Sequence, residues 1–385
     1  MFSNIKPSLS IATNRLFNCQ SALQLPLILA CTITFSIVFA DEVNGQAATV
    51  KLAGAPPQTE EKSEDNRPEE VTLETKDKVQ LSCTYFPPGK PAEEEASKEE
   101  ASKEGASKEE ASEDKEAAET EAKPKPDAES AGDGKRTIPY IILHDWESSR
   151  ADTQALATYL QSQGNAVITP DLRGHGASTR VVGSEQVLDA TKFRGNQIGT
   201  VVEDIEACKK FLVKKNDAGE LNIDMLAVIA IGKTVPIATQ WVVNDWSFAP
   251  YRKGIKQGQD VKVLIMIAPE KKNGPFAMNR VAGNAIFSGS NALPTIVSWA
   301  TNNKNAKDSQ SIYNRLKKKR PDAKKQTPES KTLFQAPLKD SALSGVQIGS
   351  NPKLERLWNY FHRTVSKKIN QNLDKLPWQD RSKKQ

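Results

Sequence analysis

Short, nearly continuous apolar runs alternate with amphipathic stretches, and the alternation becomes regular only after residue 136. Residues 138–143, 166–170, 225–231 and 261–267 are almost wholly apolar, as strands buried on both faces must be. Runs at 295–299 and 331–336 continue the series. Between them lie predicted helices at 153–163, 200–215, from 236 onward, 309–318 and 352–368. In the second of these, Val201, Ile205, Cys208 and Leu212 recur at three- and four-residue spacing. Earlier in the chain, residues 71–85 alternate apolar and polar around Lys76-Asp77-Lys78, which predicts a β-hairpin. Buried strands alternating with helices specify a mostly parallel sheet with helices on both faces, and the hairpin adds antiparallel edge strands.

Other segments lack this pattern. Residues 1–40 combine a positively charged start (Lys6, Arg15) with an apolar run at 25–40 and end in Val38-Phe39-Ala40. That arrangement predicts a cleaved export signal and a secreted or periplasmic chain; an uncleaved membrane anchor is the alternative. Residues 41–69 read as a flexible linker. The interval 91–135 carries imperfect EEASK repeats without an apolar face, so it is expected as an acidic insert within a domain spanning 70–370. Residues 371–385 read as a basic tail.

Net charge is +5, and its distribution is uneven. The chain is acidic before about residue 135, while Lys317, Lys318, Lys319, Arg320, Lys324 and Lys325 form a basic stretch. This stretch reads as a solvated helix end and loop, or as a weak contact with an anionic membrane surface. No nucleic-acid-binding module is recognisable. Once the signal is removed, Cys83 and Cys208 remain, either bonded to each other or buried as separate thiols. No CxxC or His/Cys cluster occurs, so no metal site is expected, and no cofactor is called for.

Three local patterns carry a family resemblance. Leu143-His144-Asp145-Trp146 ends the first buried strand. Asp171-Leu172-Arg173-Gly174-His175-Gly176-Ala177-Ser178 follows the second. A strand–turn–helix begins at Met225. Together they resemble the α/β-hydrolase superfamily, in particular its serine-aminopeptidase and monoglyceride-lipase-like branch. The resemblance covers the hairpin and residues 136–370. It implies an α/β-hydrolase fold, with Asp171, Arg173, Gly174, His175 and Gly176 forming a structural turn near the pocket.

The same alignment implies that catalytic groups are missing. Members of the family carry G-x-S-x-G at the nucleophile elbow. Here the string is Ala230-Ile231-Gly232-Lys233-Thr234, which places Gly232 at the nucleophile position. Glycine has no side chain to attack with. Thr234 is a fallback hydroxyl, read first as a helix N-cap; Ser178, Ser341 and Ser344 are further fallbacks. Asn303 stands at the acid position. The loop 337–345 lacks the base, and His362 lies within the last helix. His144, Asp145, Trp146 and Lys233 would line a vestigial pocket open to an unidentified ligand or protein partner. Gly232-Lys233-Thr234 also matches the end of a phosphate-binding loop, but that motif's first glycine would fall at Ala227, inside an apolar strand. The expectation is a non-catalytic, exported hydrolase-fold protein. An active esterase or peptidase with a non-standard site, and an envelope interaction protein acting through its charged segments, are the alternatives.

Overall fold

A computed structural model describes residues 66–89, 134–252, 255–321 and 326–382. The signal-like segment, nearly all of the linker and the EEASK repeats lie outside the described residues.

Eight strands build the main sheet: β1 (Glu69–Glu74), β2 (Val79–Phe86), β3 (Pro139–Leu143), β4 (Ala166–Pro170), β5 (Leu226–Ile231), β6 (Val261–Ile267), β7 (Thr295–Ala300) and β8 (Leu333–Leu338). Their spatial order is β1-β2-β4-β3-β5-β6-β7-β8, and a two-residue strand, Arg180–Val181, adds to β2. Strand β2 pairs antiparallel with both β1 and β4, whereas every pair from β4 to β8 is parallel. The crossover at β4–β3 and the single reversed strand are the topology of an α/β-hydrolase sheet.

Apolar residues on successive positions of the central strands point to opposite faces, so the sheet carries two cores. On β5, Leu226, Val228 and Ala230 join one core, and Ala227, Ile229 and Ile231 the other. Helices α2 (Val202–Asp217), α3 (Val235–Ser247) and α4 (Ala306–Lys318) cover the first core. Helices α1 (Gln154–Ser162), α5 (Gly345–Ser350) and α6 (Glu355–Asn370) cover the second. Fully burying one such aliphatic side chain stabilises the fold by roughly 1.5–3 kcal/mol.

One feature differs from the sequence expectation. Arg320 is not part of a solvated basic patch. Its guanidinium is buried and donates to the carbonyls of Leu293 and Leu316 and to the hydroxyls of Thr295 and Thr332, closing the C-terminal end of α4 onto the start of β7. The described part of the tail, residues 371–382, packs on the domain. Asn222 Nδ2 donates to Leu376 O (3.0 Å), Trp378 Nε1 to Asn216 O (3.2 Å), and Asn216 Nδ2 to Gln379 O (2.9 Å).

Candidate functional site

The parallel strands all end at one edge of the sheet, and the bend after β5 sits at its centre. There Gly232 adopts φ +57°, a conformation that β-carbon sterics make costly for other residues. Residues Gly232–Thr234 form a single 3-10 turn leading directly into α3. The backbone bend of an elbow is therefore present, without a side chain at its tip.

The space above that tip is occupied by Asp145. A β-carbon added to Gly232 would lie 2.1 Å from either carboxylate oxygen of Asp145, well inside van der Waals contact. Asp145 Oδ1 accepts a hydrogen bond from the Lys233 N–H (2.8 Å) and another from the Trp146 N–H (2.8 Å). One donor follows the elbow position and the other lies on the loop after β3. In an acyl-transfer enzyme, a pair of amides so placed would stabilise the oxyanion. Here both converge on the chain's own carboxylate. Burial pushes the Asp145 carboxyl above its usual range, opposed by these two amides and by the nearby Lys233.

Neither neighbouring histidine is free to act as a base. His144 Nδ1 donates to Asp145 O (2.7 Å), and Nε2 accepts from the Leu172 N–H (3.0 Å). His175 does the same with Arg173 O (3.0 Å) and the Glu147 N–H (3.2 Å). With one nitrogen donating and the other accepting, each ring is held neutral. Burial lowers both, His144 to about 4. His175 also meets the Trp146 ring edge-on, with centroids 4.8 Å apart. His362 lies on α6, with Nδ1 3.3 Å from Asn165 Nδ2.

The turn after β4 ties elements together. Asp171 accepts from the Arg150 N–H (2.8 Å) and the Ala177 N–H (3.0 Å). Arg173 links Asp77 of the hairpin turn to Asp204 on α2. Gly174 and Gly176 carry the chain through the bend at φ +74° and +48°.

The remaining hydroxyls and the acid position have other partners or none. Thr234 is buried, and its hydroxyl has no hydrogen-bond partner. The expected N-cap bond is absent because Thr234 is itself helical (φ −78°, ψ −19°) and Pro236 lacks one of the amides that a cap would serve. Ser178 Oγ accepts from the Ser82 N–H (2.8 Å), Ser341 Oγ from the Leu343 N–H (3.4 Å), and Ser344 caps α5. Asn303 donates to Ala342 O (3.1 Å) and accepts from the Asn305 N–H (2.9 Å), holding the turn between β7 and α4. Lys233 reaches outward, its Nζ 3.9 Å from Glu147 Oε1.

Gly345 is a site residue that the sequence reading missed. It begins α5 in the segment where a base would be sought. A β-carbon there would lie 2.8 Å from Ile231 Cγ2 and 3.6 Å from Gly232 N, so α5 lies directly against the elbow. Gly349, one turn on, would meet Ile231 at the same 2.8 Å. The Gly345/Gly349 spacing was the available signal for a helix lying this close.

Among the described residues, no group of histidine, cysteine, aspartate or glutamate side chains could hold a metal ion. Two hollows of about 390 and 380 Å³ lie along α4, and none of the vestigial-pocket residues lines them.

Sheet order and elbow together define this chain as a protein of the α/β-hydrolase fold. No protein-family model and no curated protein matches it. Similar solved structures include an esterase of Pyrococcus furiosus, 13% identical over 79% of this chain and 92% of that one, with a TM-score of 0.47. An α/β serine hydrolase without a lid from Xanthomonas campestris is 13% identical over 80% and 95% (TM-score 0.42). A dienelactone hydrolase from Anabaena variabilis is 11% identical over 77% and 98% (TM-score 0.44).

Proposed function

We propose that this chain is an exported, non-catalytic protein of the α/β-hydrolase fold that acts by binding rather than by turnover. One observation carries the reading: the Asp145 carboxylate occupies both amide donors beside an elbow whose tip is glycine. Nucleophilic acyl transfer requires a nucleophile, a base to activate it, and free donors for the developing oxyanion. At this elbow the first is lacking, the nearby imidazoles are committed elsewhere, and the third is filled. Binding then falls to the surface, where Lys271, Lys272 and Arg315 line the hollow along α4 with Met278 and Ile312, Lys271 being paired with Asp308 (2.6 Å). That chemistry suits an anionic ligand or partner.

The test is a fluorophosphonate probe applied to the purified chain beside an active serine hydrolase, together with a panel of short acyl esters. No labelling and no turnover above the uncatalysed rate are expected. Stoichiometric labelling of a side chain at the elbow would overturn the proposal. Export is checked separately by sequencing the N-terminus of protein recovered from outside the cytoplasm, which is expected to begin at Asp41.

A further inference from the structure

Cys83 on β2 and Cys208 on α2 are both fully buried, in the same core. Helix α2 packs side chains against β2, and two of them mark the register. Phe211, three residues past Cys208, meets the Tyr85 ring edge-on at a centroid distance of 5.1 Å. Lys215, one turn further, stands 4.8 Å from the centre of the same Tyr85 ring. Tyr85 is two residues past Cys83 and so shares its face of the strand. The register that sets Phe211 against Tyr85 therefore turns Cys208 toward Cys83, and the Cys83 thiol beside it, together with burial, pushes the Cys208 thiol above its usual range. Both are free thiols in this structure.

We propose that Cys83 and Cys208 form a disulfide, joining β2 to α2, when the chain folds in an oxidising compartment. The oxidant is a disulfide, either a small-molecule one such as oxidised glutathione or that of a dithiol oxidoreductase. The thiolate of one cysteine attacks it, releasing one thiolate and leaving a mixed disulfide. The second cysteine's thiolate then attacks the chain's own sulfur in that mixed disulfide and releases the other thiolate. The chain loses two S–H bonds and gains one S–S bond. The oxidant gains the two electrons, and the protons pass to its thiolates through solvent. Because neither sulfur touches solvent in the folded domain, the exchange takes place before α2 closes over β2. Afterwards the same burial shields the bond from reductants. The link spans the whole stretch from residue 83 to 208, and constraining a long loop in the unfolded chain is where a disulfide stabilises most.

The test uses the full-length chain, recovered after export and also refolded from the reduced, denatured state in a glutathione redox buffer. Each sample is alkylated in denaturant before and after reduction, and the peptides are mapped by mass. Both cysteines are expected to resist alkylation until reductant is added, and one linked peptide pair should contain Cys83 and Cys208. The oxidised protein should unfold about 5–10 °C above the protein refolded in reductant. Cys83→Ala and Cys208→Ala should show no such difference; should either fail to fold, differential alkylation of the wild type still decides. Full alkylation of both cysteines without reductant, in both preparations, would overturn the proposal.

Discussion

Gly232 and Asp145 constrain each other more tightly than either constrains any other residue at the elbow. A methyl group at position 232 would meet both strain at φ +57° and the Asp145 carboxylate. Gly232→Ala is therefore expected to destabilise by about 2–4 kcal/mol, combining backbone strain with overpacking. Asp145→Ala leaves two amides without their acceptor and should cost about 1–3 kcal/mol, part of it recovered by added formate. In the double variant the clash is gone, so the two costs should sum to less than their separate values by about 1 kcal/mol or more. Strict additivity in a denaturation cycle would mean that the carboxylate does not sit where the structure places it. His144 supports a second prediction. Burial sets its folded pKa at about 4, below the 6.5 of an unperturbed histidine, so the unfolded chain takes up the proton first. The contribution of His144 to stability is then complete above about pH 6.5 and declines as pH falls toward 4. Replacing it with glutamine should flatten the stability–pH curve across that window by up to one proton, read from denaturant midpoints at half-unit pH steps.

The elements themselves were legible in the sequence, because continuous apolar runs admit little besides buried strands when amphipathic helices separate them. Hairpin, parallel strands and helices all occur where periodicity put them, with ends displaced by a few residues, as for α2 at Val202–Asp217 rather than 200–215. The absence of a side chain at the elbow was legible too, since strand and helix on either side fix the register of Gly232. What fills the elbow was not. Asp145 and Lys233 are 88 residues apart, and nothing local in either segment says that a carboxylate will turn back onto the amides. Arg320 was misread for a related reason: a run of cations looks solvated until tertiary packing offers carbonyls to one of them. Thr234 failed as a cap because proline follows two positions later, a local signal that was present but outweighed by residue type. Helix α5 is the intermediate case. Its glycines were visible, but their use, letting a helix lie against Ile231, required knowing what it lies against.

At the scale of the whole molecule, residues 376–382 act as a clasp on the sheet edge opposite the elbow. Arg381 enters a buried cluster in which its guanidinium pairs with Asp224 and with Asp260 (2.6 Å). Lys256 reaches the same two acids at 2.7 and 3.2 Å, and Lys209 bridges Asp260 (2.7 Å) and Asp245 (2.5 Å). Three bases thus balance three acids contributed by α2, α3, the approaches to β5 and β6, and the chain's end. Despite complete burial, Lys209, Arg381 and Lys256 hold the Asp260 carboxyl well below its usual range. A balanced buried cluster contributes little net stability, but removing one member leaves an opposite charge buried without compensation. Arg381→Ala should therefore cost about 3–5 kcal/mol, far more than the loss of a solvent-exposed ion pair. Because the pairs are shielded from solvent, raising the salt concentration should change that loss little. Arg381→Lys should recover part of it, since an ammonium restores the charge but not the second nitrogen, which donates to Lys256 O (3.1 Å). Truncation after residue 375 removes Leu376 and Trp378 as well and should exceed the single substitution. A denaturation midpoint for Arg381→Ala indistinguishable from the wild type would show that the chain's end is ornamental, and that the sheet holds its lower edge without it.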